Sequence, residues 1–304
     1  MNRNFHNNKK VVINVNDNIL DLPYDQRQLI ILKDDSEDEK KDKITKVFRN
    51  NYLQRDNSEN KNLNYMDFLK IFGMGAAFGA VGVIANVYYL HLIYGLYKTM
   101  QNLKSNNIDL LPITRKEAKL IKFPLGHPRT DVIYVGHPVL NDVYYTLAEF
   151  HRKTFEHKIS EAIKLFENLG VKKLRIEHKK GWRNKFSSGA NLDIPLENIE
   201  VDGGANINKA KNKENKVIDE RIYENNDSYK IPEELSWYYH EPNWQSIANG
   251  RLNHGLKKFD LSIHYEEDFG VDADLKAKIE SYGLNIGGQF EKQKSTIWEI
   301  KGEF

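Results

Sequence analysis

The stretch "GVKKLRIEH" (Gly170–His178) returns, with changes, as "GLKKFDLSIHY" (Gly255–Tyr265). Each copy opens on glycine, passes through Lys-Lys and runs into alternating apolar and polar residues, the period of a strand with one buried face. A second pair follows in the same order, "GANI" from Gly204 and "GLNI" from Gly283. The offsets are 85 residues (170 to 255) and 79 residues (204 to 283), a mismatch that one loop absorbs. Ahead of the first copy, Tyr145–Gly170 places Phe155, Ile159, Ala162, Ile163 and Phe166 at spacings of three and four before a terminal glycine, which predicts a helix with a glycine cap. Ahead of the second, Pro242–Leu252 predicts another helix with proline in its first turn.

Four short period-two runs follow each helix. They are "KKLRIEHK", "ANLDIPL", "NIEVDGGANI" and "KVIDERIYE" after the first, then "KKFDLSIHYE", "ADLKAKIE", "YGLNIGGQFE" and "STIWEIKGEF" after the second. The expectation for residues 145–304 is therefore an α+β domain, an antiparallel sheet built from two helix-plus-four-strand repeats whose half-sheets join edge to edge.

Upstream the chain changes character. At 304 residues it exceeds what one hydrophobic core usually supports, so several structural regions are expected. Residues 1–64 read as a small hairpin, "VVINVNDNIL" and "QLIILKDD" about the turn "DLPYD", and a mobile mixed-charge, Asn-rich linker from Asp34, the alternative for its middle being a solvated helix around "KITKVFRNNYLQ". Residues 65–100 hold a glycine-rich hydrophobic helix, and residues 101–144 form an amphipathic connector.

The hydrophobic region is unusual for a chain with 29% charged residues, because Ile71–Tyr97 carries no Asp, Glu, Lys or Arg. A helix of roughly 20 residues spans a bilayer. Eleven of these 27 positions are Leu, Ile, Val or Phe; at about −0.3 to −0.6 kcal/mol each they sum to roughly −3 to −7 kcal/mol for insertion. Asn86, His91, four tyrosines and five glycines reduce that gain, which suits a conditional inserter. Gly75, Gly79, Gly82 and Asn86 fall on one helical stripe, a small-residue face for helix association in lipid. Tyr88, Tyr89, Tyr94 and Tyr97 gather toward one end, as at a membrane interface.

Composition excludes much else. With 45 basic and 43 acidic residues, net charge +2, there is no global field to attract nucleic acid, and none is expected as a partner. The absence of cysteine removes disulfides, thiolate metal sites and cysteine nucleophiles. "MNRNFHNNKKVVINV" has no apolar core resembling a secretory signal. No phosphate loop, GxSxG elbow, HExxH or calcium loop occurs, so no catalytic, cofactor-binding or metal-ligating residue is assigned and no cofactor is expected. Gly-His-Pro at Gly126 and again at Gly136 reads as turn chemistry, and "YEEDFG" at Tyr265 as solvated strand-end charge. His151 and His157 fall on different faces of the first helix. The aromatic cluster "LSWYYHEPNWQ" (Leu235–Gln245) gives Trp237, Tyr239, His240 and Trp244 as candidate ligand or partner contacts, against the plainer reading of a core seam.

The expected function is a non-enzymatic membrane-anchored or membrane-inserting protein. Lipid is its first partner, self-association runs through the hydrophobic helix with pore formation as its furthest form, and a cytoplasmic C-terminal domain senses an unidentified ligand. The alternative is a soluble enzyme or ligand-binding protein with the glycine-rich helix buried in its core.

Overall fold

The computed structural model describes residues 18–32, 45, 46, 49, 83–181, 217–224, 229–265, 269–290 and 296–304, with the backbone alone for 83–93. The chain divides into two compact units, Met1–Phe150 with Gly270–Phe290, and His151–Phe269 with Glu291–Phe304.

In the first unit "LIIL" forms β1 (Leu29–Leu32), every residue of which is buried. That follows from its central place, with β2 (Leu111–Ile113) parallel on one side and β3 (Ile133–Gly136) antiparallel on the other, in the order β2-β1-β3-β4, where β4 is Tyr144–Thr146. A strand paired on both edges and covered on both faces reads as a continuous apolar run rather than an alternation. The neighbours of "QLIIL" thus come from the connector and from the Gly-His-Pro region, not from a hairpin partner; "VVINV" lies outside the described residues. The connector, expected only to be amphipathic, supplies β2 because "LLPI" is apolar enough to join the sheet.

The short helix α1 (Tyr24–Arg27) precedes β1 and locks onto the sheet by its polar tips. Tyr24 Oη donates to the Gly136 carbonyl at 2.8 Å, and burial pushes its pKa up to about 12. Buried Arg27 donates to the carbonyls of Leu22 and Asn141 and to the Asn141 side chain, while Tyr144 Oη donates to the Arg27 carbonyl.

Helix α2 (Val83–Lys104) begins inside the charge-free stretch and continues past its end. Its last turns bury Leu96, Tyr97, Met100 and Leu103, spaced by one, three and three residues along one face. Tyr97 is only 7% exposed. The expectation that it sits at a water interface is corrected: it is part of the first unit's core. Among the described residues, no helix is long and apolar enough to cross a membrane. Next, α3 (Arg115–Ala118) starts with a reciprocal cap, Thr114 Oγ1 accepting from the Glu117 amide and Glu117 Oε2 accepting from the Thr114 amide. The other Glu117 oxygen accepts from Arg49 at 2.7 Å, both side chains being buried. Arg49, placed by composition in a mobile linker, is therefore an ion-pair partner of the cap.

The second unit shows the repeat. Helix α4 (Phe150–Asn168) buries the five residues its spacing predicted, Phe155, Ile159, Ala162, Ile163 and Phe166. Gly170 then turns the chain in the left-handed region, φ +75°. β5 (Lys173–Lys180) and β6 (Val217–Ile222) follow, then α5 (Pro242–His254), which Gly255 closes at φ +65°, then β7 (Lys258–Tyr265) and β8 (Thr296–Glu303). One antiparallel sheet results, in the order β6-β5-β8-β7, so the two hairpin-like pairs join edge to edge through β5 and β8.

Both sequence offsets have structural counterparts. β5 and β7 begin 85 residues apart (173 to 258), as do Gly170 and Gly255, whereas β6 and β8 begin 79 apart (217 to 296), as do Gly204 and Gly283. The six-residue difference lies between the strands of each copy, where 36 residues (181–216) face 30 (266–295). The α+β class and the repeated helix-then-strand unit hold. The strand inventory differs: the first and fourth runs of each copy form this sheet, "ANLDIPL" and "NIEVDGGANI" lie outside the described residues, and "ADLKAKIE" is a helix, α6 (Ala273–Ser281). Asp272 caps α6 by accepting from the Leu275 amide at 2.8 Å, and Leu275 and Ile279 bury one face. Its alternating pattern suits either element; the Asp cap and the helix-favouring Ala, Lys and Glu decide. "YGLNIGGQFE" gives one bridge, Asn285 with Val132, both in the first unit.

Candidate functional site

On the helix-facing side of the second sheet, Phe155 meets the edges of Tyr265 and Trp298 at 5.5 and 5.2 Å, and His151 Nδ1 pairs with Tyr265 Oη at 2.9 Å. His151 is thereby a core residue. His157, on the other face of α4 as expected, meets the aromatic cluster.

Trp237 Nε1–H points at His157 Nδ1 at 3.0 Å. Indole nitrogen only donates, so Nδ1 carries a lone pair and the ring is neutral with its proton on Nε2. That proton faces Glu161 Oε1 at 3.2 Å. The Glu161 carboxylate also accepts from the backbone amides of Ser236 and Trp237 at 3.0 and 2.8 Å. Lys158 lies against the Trp237 ring, 4.9 Å from its centroid, and pairs with Glu241 at 2.5 Å. The cluster holds the segment 236–241 on α4. Both ring nitrogens of His157 are engaged, so in this arrangement it offers no proton acceptor to a substrate.

Burial lowers the His157 pKa, opposed by the nearby Glu161 carboxylate. A base with a folded pKa below its unfolded value makes the native state lose stability as pH falls below the unfolded pKa, about 6.5. The thermal transition of the full chain is expected to drop between pH 7 and pH 5.5, and His157→Gln to flatten part of that slope. Parallel melting curves of the two proteins over that range would remove the latch if their slopes coincide.

The other four candidates separate by depth. Trp237 and Trp244 are buried, whereas His240 is exposed and Tyr239 is 73% exposed. Gly75, Gly79 and Gly82 lie outside the described residues; Asn86 is on α2, its side chain outside the description. The two Gly-His-Pro histidines serve separate turns. His127 Nδ1 pairs with Tyr134 Oη at 2.7 Å, and His137 Nδ1 accepts from the amides of Val139 and Leu140 at 3.2 Å. Among the described residues, no group of three His, Asp or Glu is placed to hold a metal ion. Glu266–Asp268 of "YEEDFG" lie outside them.

One charged arrangement was not foreseen. On the sheet face away from α4, Glu177 of β5 stands directly opposite Glu299 of β8. Lys179 and Lys301 each pair with both carboxylates, and Arg175 adds a contact to Glu177 at 2.8 Å. Burial opposes ionisation of Glu177, but hydrogen bonds from Arg175 and Lys179 and the charge of Lys301 outweigh it and hold its pKa at about 2. The alternating charges of "KLRIEHKK" and "WEIKGE" were the available signal, yet only strand register makes the two glutamates opposite.

These features define an α+β protein with a repeated helix–sheet unit. Comparison with protein-family models, with curated proteins and with solved structures finds no match.

Proposed function

We propose that the protein is a non-enzymatic membrane protein, in which the charge-free stretch enters lipid and the second unit, on the cytoplasmic side, binds a ligand or partner. The observation that carries this reading is the course of α2. Its C-terminal turns are fastened in the first unit by Leu96, Tyr97, Met100 and Leu103, while the 25 positions ahead of them, Ile71–Gly95, hold no charged side chain. That length exceeds the roughly 20 residues a single pass requires. Self-association through Gly75, Gly79, Gly82 and Asn86, with permeabilisation of the bilayer, is the finer form of the proposal. The burial of the same four α2 residues also favours the second reading, a soluble binding protein whose glycine-rich helix completes a core.

Flotation with liposomes separates the two. Wild-type protein is expected to rise with the vesicles and resist carbonate. Ile84→Arg places a charge near the middle of the stretch at a cost of about 2.5–3.5 kcal/mol, a partition loss on the order of 100-fold. Folded, monodisperse wild-type protein that stays at the bottom of the gradient overturns the membrane reading.

A further inference from the structure

The bonds that seat segment 236–241 on α4 do not all tolerate acid. Trp237 Nε1–H donates to His157 Nδ1 at 3.0 Å, and an indole nitrogen, which only donates, cannot turn round to suit a protonated partner. Histidines that face hydroxyls escape this conflict: Tyr265 Oη at His151 and Tyr134 Oη at His127 can each give or take a hydrogen bond. A proton on His157 Nδ1 brings two N–H groups head to head against a buried tryptophan. The His157 side chain is 25% exposed, so that proton arrives from water without unfolding of the unit. His137 Nδ1 also accepts from groups that only donate, the Val139 and Leu140 amides, but at 1% exposure it has no such path.

We infer that His157 and Trp237 form an acid-operated latch, in which protonation of the imidazole unseats Trp237 and releases Ser236–His240 from α4 while the sheet stays folded. The charged groups around the pair come from both elements. From α4, Glu161 Oε1 lies 3.2 Å from His157 Nε2 and favours the imidazolium. Lys158, also on α4, stands 4.9 Å from the Trp237 ring centroid and pairs with Glu241 of the segment. Burial outweighs the attraction of Glu161 and holds the seated ring below its ordinary pKa. Once released into water the ring binds a proton more readily, so falling pH favours release, by up to about tenfold per pH unit between the two pKa values. The Lys158–Glu241 pair takes no part in that titration and keeps the far end of the segment attached. The latch lies wholly within the second unit and stands whether or not the charge-free stretch enters lipid.

Hydrogen exchange of the full chain reads the latch locally, by mass spectrometry of peptides spanning 232–241, β5 and β8, corrected for the intrinsic pH dependence of exchange. Protection of the segment is expected to fall about fivefold to tenfold between pH 7 and pH 5.5, while β5 and β8 keep theirs. His157→Gln, whose amide oxygen still accepts from the indole, should hold the segment equally at both pH values. Trp237→Phe, which lacks the donor, should weaken it at both. Loss of protection in the segment and the strands together is unfolding of the unit and overturns the latch. A pH-dependent fall of wild-type size in either variant, or no fall in the wild type, overturns it as well.

Discussion

Trp244→Ala is expected to destabilise the second unit by about 3–5 kcal/mol, the range for removing a fully buried large aromatic side chain. Trp244 has no exposed surface, sits in the first turn of α5, and lies four residues before the buried Ala248 on the same face. Its truncation leaves a cavity that surrounding side chains fill only in part. Tyr239→Ala, by contrast, should change stability by less than about 0.5 kcal/mol, since that ring is largely in water. Urea denaturation of both variants, followed by circular dichroism at a backbone wavelength, tests the pair. If Trp244→Ala unfolds at the wild-type midpoint, the side chain is not the core element described here, and its role as a contact residue returns. Within the aromatic segment the two depths are plain: Tyr239 and His240 are exposed, whereas Trp237 and Trp244 are buried.

Tyr97→Arg should behave as a folding mutation. In a transmembrane reading of the whole stretch, a long cationic side chain near the end reaches water and costs little. Tyr97 is buried with Leu96, Met100 and Leu103, so an arginine there leaves an uncompensated charge in the core, worth about 3–5 kcal/mol. The expected outcome is a lower thermal transition and reduced soluble yield, with no recovery on adding liposomes. Ile84→Arg should show the opposite signature, lost flotation at an unchanged transition. Two variants 13 positions apart on one helix (84 to 97) thus test the proposed lipid contact of its first part separately from the core packing of its last turns.

Where a pattern is local, the sequence carried it. The five-residue apolar face of α4, the glycine stops at 170 and 255, and the strands that follow them at a common offset are set by helical period, left-handed backbone and strand alternation. Each acts within about ten residues, so a single chain displays them. The duplication was legible for the same reason, because both offsets reappear as the offsets of strand starts.

Tertiary structure decided which segments meet. No local signal places β2 of the connector parallel beside β1, since that pairing joins residues about eighty positions apart through main-chain groups that every residue possesses. The alternation of "ADLKAKIE" allowed a strand, and it became a helix once Asp272 capped it and Leu275 and Ile279 found one apolar face. The depth of Tyr97, Trp237 and Trp244, and the pairing of Glu177 with Glu299 under two lysines, likewise depend on what folds against them. An amphipathic ring reads the same in a sequence whether its polar end faces water or a buried histidine. For Trp237 the choice was made by His157, eighty residues away, which offers the one lone pair its indole N–H requires.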